Sequence, residues 1–434
     1  MASSILTLVL AAAVSGTWSL TECIDYALQN NIQVKQREIS VAQREIELNS
    51  AENNWLPGVS ASAGENFSFG RGLNEDNTYS TGSNTASTRF SVGADMTLFQ
   101  GLNGANGIKL GKLNLAAAMS DLERAQDDIR VSVAQAYVQI LYDQELLVVA
   151  NNQVDIDEQL FERVKALRET GKASAAEVAA QQSTLAQSRL RATQAENTLK
   201  LSILDLSQLL ELESPEGFSI VSPSESELEI HLLPSPEDIY AQAIQEKAVV
   251  TAEQIRLEAA EVSIKKARSA YYPSLSLSGG VSTDYFTNSA YDSDPFGKQL
   301  KKNFSPYVGL SLRVPIFNRM ATRNSVRNAQ LSYNNQQLQL ESVKKTLYKE
   351  IQQAYYNAVA AQSQLVSSRE AADSAEHSFN LTREKYENGM SSITEYNESK
   401  NRYLEAASNY LQARYKCVFQ TKLLDFYRGA DLSF

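Results

Sequence analysis

The chain has 434 residues, a net charge of −11 and a mean hydropathy of −0.32. That length suits about two or three ordinary domains or one elongated one, and the acidic balance argues against nucleic acid as a partner. Cys23 and Cys417 make neither a metal spacing nor a disulfide framework, and His231 and His377 lie in dissimilar contexts without nucleophile elbow, phosphate loop or metal triad, so neither an enzyme nor a cofactor is expected.

The N-terminus carries an apolar run, Ile5 to Val14, followed by Ser15-Gly16. This resembles the hydrophobic segment and cleavage site of a secretory signal, predicted over residues 1–16. The segment before it has no Lys or Arg, and the start of a buried helix is the alternative. No run reaches the 18 or more apolar residues of a transmembrane helix.

A first repeat is predicted over 17–210, opening on a helix of about 35 residues. Two strands follow, 58–69 and 88–99. In the first, Val59, Ala61, Ala63, Phe67 and Phe69 share a face interrupted by Glu65, and Ser60, Ser62, Gly64, Asn66 and Ser68 share the other. In the second, Phe90, Val92, Ala94, Met96 and Leu98 oppose Arg89, Ser91, Gly93, Asp95 and Thr97. Two long helices are then predicted, 104–170 and 173–210. Val133, Ile140, Leu147, Val154 and Phe161 step by seven, as do Val178, Leu185, Ala192, Leu199 and Leu206, which is the spacing of a coiled-coil seam. Some 65 helical residues reach roughly 100 Å, longer than a globular core needs.

A connector rich in Ser, Pro and Glu occupies 211–238, and a second repeat follows over 239–434, opening like the first on a helix of about 35 residues. Pro57 and Pro273 lie 216 residues apart. Phe99 and Phe317, Gln135-Ala-Tyr137 and Gln353-Ala-Tyr355, and Gly171 and Gly389 all lie 218 apart, so the second copy has an insertion between its strands. Its strands are predicted at 274–286 and 304–317 and its long helices at 320–388 and 391–428. The heptad seams recur as Ile351, Ala358, Leu365, Ala372 and Phe379, then Tyr396, Tyr403, Tyr410, Cys417 and Leu424.

Alternation at period two gives each strand one apolar and one wet face. Spans of this length cross a bilayer when tilted, and the loops 70–87 and 287–303 are full of Asn, Ser, Asp and Gly, as extracellular loops of a barrel are. Four strands cannot close a barrel, which takes about eight, and open edges in lipid are very costly. Several chains must then share one barrel. An antiparallel patch in a soluble fibrous protein is the alternative.

Leu20-Thr-Glu-Cys-Ile-Asp-Tyr-Ala-Leu-Gln-Asn-Asn31, Trp55 to Gly64, Arg313 to Arg319, and the turns ETGKASAAE (169–177) and ENGMSSITE (387–395) resemble the TolC-type outer-membrane efflux channels, in order and over nearly the whole chain. The resemblance implies a mixed α and β membrane protein: a homotrimer whose twelve-stranded β-barrel, four strands per chain, continues into a long periplasmic α-helical coiled-coil barrel. It implies a passive outer-membrane conduit in a Gram-negative envelope, working with a periplasmic adaptor protein and an inner-membrane pump of RND or ABC type, in contact with outer-membrane lipid. It places the periplasmic constriction at Glu395 and Glu398, six and nine positions after Gly389, with Glu177 in the first copy and Tyr386 tying the closed state. Ala180 stands where the first copy would carry a second acid, and Ser391 where the type member has a basic residue. Gly171, Lys172, Gly389, Met390 and Ser391 become the adaptor-docking tips. On physical grounds alone the two glycines are helix terminators and the acids are solvated helix residues. Tyr271, Tyr272, Tyr285, Tyr291 and Trp55 suit interfacial aromatic belts, with loop packing an equal account of Tyr291. A secreted or periplasmic coiled-coil stalk or adhesin without a pore is the rival reading; it accounts for the helices but not for four strands with one apolar face each.

Overall fold

A computed structural model describes residues 16–73, 77–81, 84–223, 233–289 and 292–432. The expected signal segment lies outside these residues apart from Gly16, as do His231 and Tyr291. In chain order the elements are β1 (Gly16–Trp18), α1 (Leu20–Asn30), α2 (Ile32–Asn53), β2 (Gly58–Ser68), β3 (Arg71–Leu73), β4 (Tyr79–Thr81), β5 (Thr85–Gln100), α3 (Asn103–Glu169), α4 (Ala175–Leu209), β6 (Phe218–Ile220), α5 (Pro236–Glu246), α6 (Ala248–Arg268), β7 (Ser274–Asn288), α7 (Phe296–Lys302), β8 (Ser305–Arg313), α8 (Ala321–Glu387) and α9 (Ile393–Tyr427). Helices α3 and α8 each have 67 residues, and α4 and α9 each have 35. No helix among the described residues is long and apolar enough to cross a membrane.

The chain divides into two compact units. One holds the described residues of Met1–Ser40, Met119–Thr251 and Glu341–Phe434; the other holds Val41–Ala118 and Ala252–Leu340.

The first unit has its core where α1, β1, β6, the middle of α3 and the ends of α4 and α9 meet. Leu20, Cys23, Ile24 and Ala27 form the buried face of α1 against Val133, Tyr137, Ile140, Leu206 and Phe426. Ser19 starts α1 with a capping box, its hydroxyl accepting from Glu22 N while the Glu22 carboxylate accepts from Ser19 N. β1 and β6 pair in parallel, and the Tyr137 hydroxyl donates to Val221 O at 2.5 Å beside them. Burial pushes the Cys23 thiol up to about 12, and Cys417 is likewise a buried free thiol.

Both predicted 35-residue helices are broken. The first breaks at Asn31, whose backbone turns extended and whose side chain donates to Leu209 O and accepts from Gln33 N. The second breaks at Lys247, also extended, with its ammonium 3.7 Å from the centre of the Phe426 ring. In each case a side-chain contact to another element replaces the helical path.

The second unit is built on one antiparallel sheet in the order β2-β5-β7-β8. Its register aligns the apolar faces of all four strands: Ala61 faces Val92, which faces Val281, while Leu277 sits between Met96 and Leu310. The serine face aligns too, with Ser62, Ser91, Ser282 and Ser305 in one row. Glu65 lies on the apolar side and accepts from Thr88 of the neighbouring strand. Tyr307 lies across Gly280 and reaches Gly93; a Cβ at Gly280 would stand 3.1 Å from the tyrosine ring and 2.6 Å from Val92 O. Only glycine fits beneath it.

β8 ends at Arg313 and not at the expected Phe317, because Pro315 lacks an N–H and forces its neighbour out of the ladder. β5 and β7 extend past the predicted ends to Thr85, Gln100 and Asn288. The polar loop predicted over 287–303 contains α7. It covers the edge of β7 beyond Ser282, where β8 no longer pairs: the Gln299 amide bonds both Phe286 N and Phe286 O, as a strand neighbour would.

Candidate functional site at the hairpin turns

The α3–α4 and α8–α9 turns, both in the first unit, are built alike. Gly171 and Gly389 have φ of +72° and +73°, and a Cβ at either would meet nothing within 4 Å. The backbone sign alone demands glycine there. Lys172 N donates to Leu167 O and Met390 N to Lys385 O, while the glycine N–H groups donate to Arg168 O and Tyr386 O. Each helix thus closes in a Schellman motif. Three residues after each glycine a serine opens the next helix. Ser174 and Ser392 accept from the N–H of Glu177 and Glu395, whose carboxylates accept from the serine N–H groups.

Two of the expected constriction acids, Glu177 and Glu395, are therefore capping-box residues. The Ser391 hydroxyl adds a 2.6 Å bond to Glu395. That bond and the Ser392 N–H hold the Glu395 carboxyl below its ordinary range; the Ser174 N–H and hydroxyl do the same for Glu177. Both stay ionised at neutral pH. Glu398 is exposed and pairs within its own helix with Arg402 at 2.6 Å. Lys172 and Met390 are exposed at the turns.

Tyr386 is half-buried, its ring centre 5.2 Å from that of Tyr396 and 5.9 Å from the Arg163 guanidinium. Burial raises its hydroxyl pKa, the Arg163 charge opposes this, and the Glu177 carboxylate adds to it. Arg163 also donates to Glu387 O at 3.0 Å, which ties α3 to the C-terminal end of α8. Behind these groups Leu160, Val164, Phe379 and Tyr396 form a small core, with Phe379 stacked on Tyr403 at 5.7 Å. Burial pushes Tyr396 up to about 12.

Deeper in the hairpins lies a polar cluster that heptad reading of apolar residues passes over. Asp157 accepts from Lys400 at 2.5 Å, from Gln153 at 2.8 Å and from Ser188. Burial pulls Lys400 below the ordinary lysine range, and the Asp157 charge offsets part of that. A second layer repeats two heptads away, where Asp143 accepts from Ser202 and Gln139. In α4 the seven-residue series Gln181, Ser188, Ala195 and Ser202 is buried, while the predicted Ala192 and Leu199 are only partly so. Both Gln181 amide atoms lack a partner among the described residues. Among the described residues no group of three His, Cys, Asp or Glu could hold a metal ion.

A family model described as "Outer membrane efflux protein" matches residues 23–211 and 239–426. "Outer membrane protein TolC" of Vibrio cholerae is 24% identical over 184 residues, which is 42% of this chain and 41% of that protein, so the match spans less than half of either. The structure resembles that of a membrane protein from Pseudomonas aeruginosa with a TM-score of 0.78 at 18% identity, covering 96% of this chain and 97% of the other. It resembles the CmeC outer membrane channel of Campylobacter jejuni with a TM-score of 0.80 at 17% identity, covering 96% and 87%. At those identities the likeness is one of fold.

Proposed function

The chain belongs to the outer membrane efflux protein family, and from that premise we propose that it forms the outer-membrane channel of a tripartite efflux or type I secretion system, passively conducting substrates delivered by an inner-membrane pump. Three copies share one twelve-stranded barrel, each giving β2, β5, β7 and β8. The long helices form the wall of a periplasmic tube, and residues 1–16 are the signal that sends the chain there. The equal lengths of α3 and α8, and of α4 and α9, support the duplicated plan.

The observation that carries this reading is the in-register alignment of four apolar faces in a sheet whose edges, β2 and β8, have no partner within the chain among the described residues. Val308 is 84% exposed and Leu310 and Leu312 are 66% and 65% exposed on that face. An apolar face of this kind belongs against lipid, and open strand edges in lipid cost several kcal/mol per unpaired group. Further copies of the chain close those edges.

The turns serve two roles. Gly171, Lys172, Gly389, Met390 and Ser391 present the surface on which an adaptor docks. Glu395, Glu398 and Glu177 narrow the passage, and Tyr386 ties the turns together through Tyr396 and Arg163. Three copies of carboxylates held ionised by their caps favour cations in a narrow wet passage.

The test is complementation. In cells stripped of their own outer-membrane efflux channel and supplied with this chain and its pump and adaptor, exported dye should no longer accumulate. Surface-localised protein that never restores export would overturn the assignment.

A further inference from the structure

The unit that carries the sheet has a cleft of about 430 Å³ where β5 runs into α3. Its lining includes Asn54, Trp55, Gln100, Asn103, Gly104 and Lys266. Among the described residues Lys266 is the only charged one lining it, with no carboxylate on the wall. Neighbouring lysines are neutralised: Lys265 pairs with Glu261 and Lys109 with Glu258, each at 2.9 Å. Among the described residues Lys266 has no such pair, and the side-chain amides of Asn54, Gln100 and Asn103 make no hydrogen bond. One cation and three unspent amides thus surround one space.

The walls are shaped by missing side chains. A Cβ at Gly104 would stand 2.7 Å from the Trp55 ring, so the indole is seated on the bare backbone of α3. One turn on, a Cβ at Gly107 would meet only Lys266 Nζ, at 4.0 Å. Beside the cleft the apolar surface of the sheet begins, with Leu98 38% and Phe99 41% exposed. A polar, cationic cleft with an indole wall beside an apolar belt has the chemistry of the headgroup layer.

We infer that this cleft binds a phosphate group, that of a glycerophospholipid headgroup at the membrane boundary nearest the β5–α3 junction. This rests on the reading that the sheet spans a membrane. Lys266 supplies the charge, the amides supply donors to phosphate oxygens, and Trp55 packs on the glycerol side.

The purified protein in neutral detergent is titrated with phosphatidylglycerol, with the matching diacylglycerol that lacks phosphate, and with inorganic phosphate, and retention is read by native mass spectrometry. Phosphatidylglycerol is retained and diacylglycerol is not. Lys266→Gln weakens retention about tenfold, as loss of a charge-assisted bond does, and Lys266→Arg restores it. Displacement by inorganic phosphate at matched concentration identifies the free anion as the occupant; no displacement identifies the lipid. Equal retention of both lipids, or of phosphatidylglycerol by wild type and Lys266→Gln, overturns the site. Bilayer conductance of the wild type tests the channel reading separately.

Discussion

Lys400 of α9 donates to Asp157 of α3 across 2.5 Å, with side chains 2% and 0% exposed. The pair joins one helical hairpin to the other, within a buried polar layer that also holds Gln153 and Ser188. A buried charge pair is costly to form and more costly to halve, because the survivor is left desolvated.

Removing one partner is therefore worse than removing both. Lys400→Met alone is expected to destabilise by about 3–5 kcal/mol, and Lys400→Met with Asp157→Leu by much less. A double-mutant cycle on thermal unfolding in detergent measures the coupling. Additive single and double effects would show that the ions do not act as a pair.

The caps predict an acid-sensitive turn. Glu177 and Glu395 are held below the ordinary value of 4.5 in the folded chain. Their contribution is complete above 4.5 and is lost as pH falls below it through the lowered folded value. Amide exchange at the starts of α4 and α9, corrected for intrinsic rates, should rise several-fold over that interval. Ser174→Ala and Ser392→Ala should raise exchange at neutral pH and flatten the dependence.

The two faces of the sheet should answer substitution differently. Leu310 faces Leu277 on the apolar side, and Ser276 and Ser311 face each other on the opposite side. Leu310→Arg is expected to cost about 2–4 kcal/mol in lipid and to impair insertion, whereas Ser276→Lys should insert normally. Membrane fractionation of the two variants decides it; equal insertion would remove the distinction between lipid-facing and wet faces.

Much of this fold is written in local pattern. Period-two alternation located four strands because each has one apolar and one polar face, and the turns were legible from Gly171 and Gly389 at matching places in the two repeats. The breaks at Asn31 and Lys247 were not legible, since their cause is a side chain reaching Leu209 O in one case and the Phe426 ring in the other. The site was half legible. Glu177 and Glu395 were marked only through the family resemblance, although Ser174 and Ser392 three residues before them make the Ser-x-x-Glu signature of a capping box. Asp157, Lys400 and Arg163 were missed because the seams were traced through apolar residues. The spacing of Asp143 and Asp157 by two heptads, matched by Ser188 and Ser202, was the available signal.

The most direct test of the central claim is single-channel conductance of the detergent-purified protein in a planar bilayer under a salt gradient, with Glu395→Gln/Glu398→Gln beside wild type. Stable, cation-selective steps that lose selectivity in the double variant are the predicted result. A protein that stays soluble without detergent and gives no steps would contradict the account and leave a coiled-coil stalk in its place.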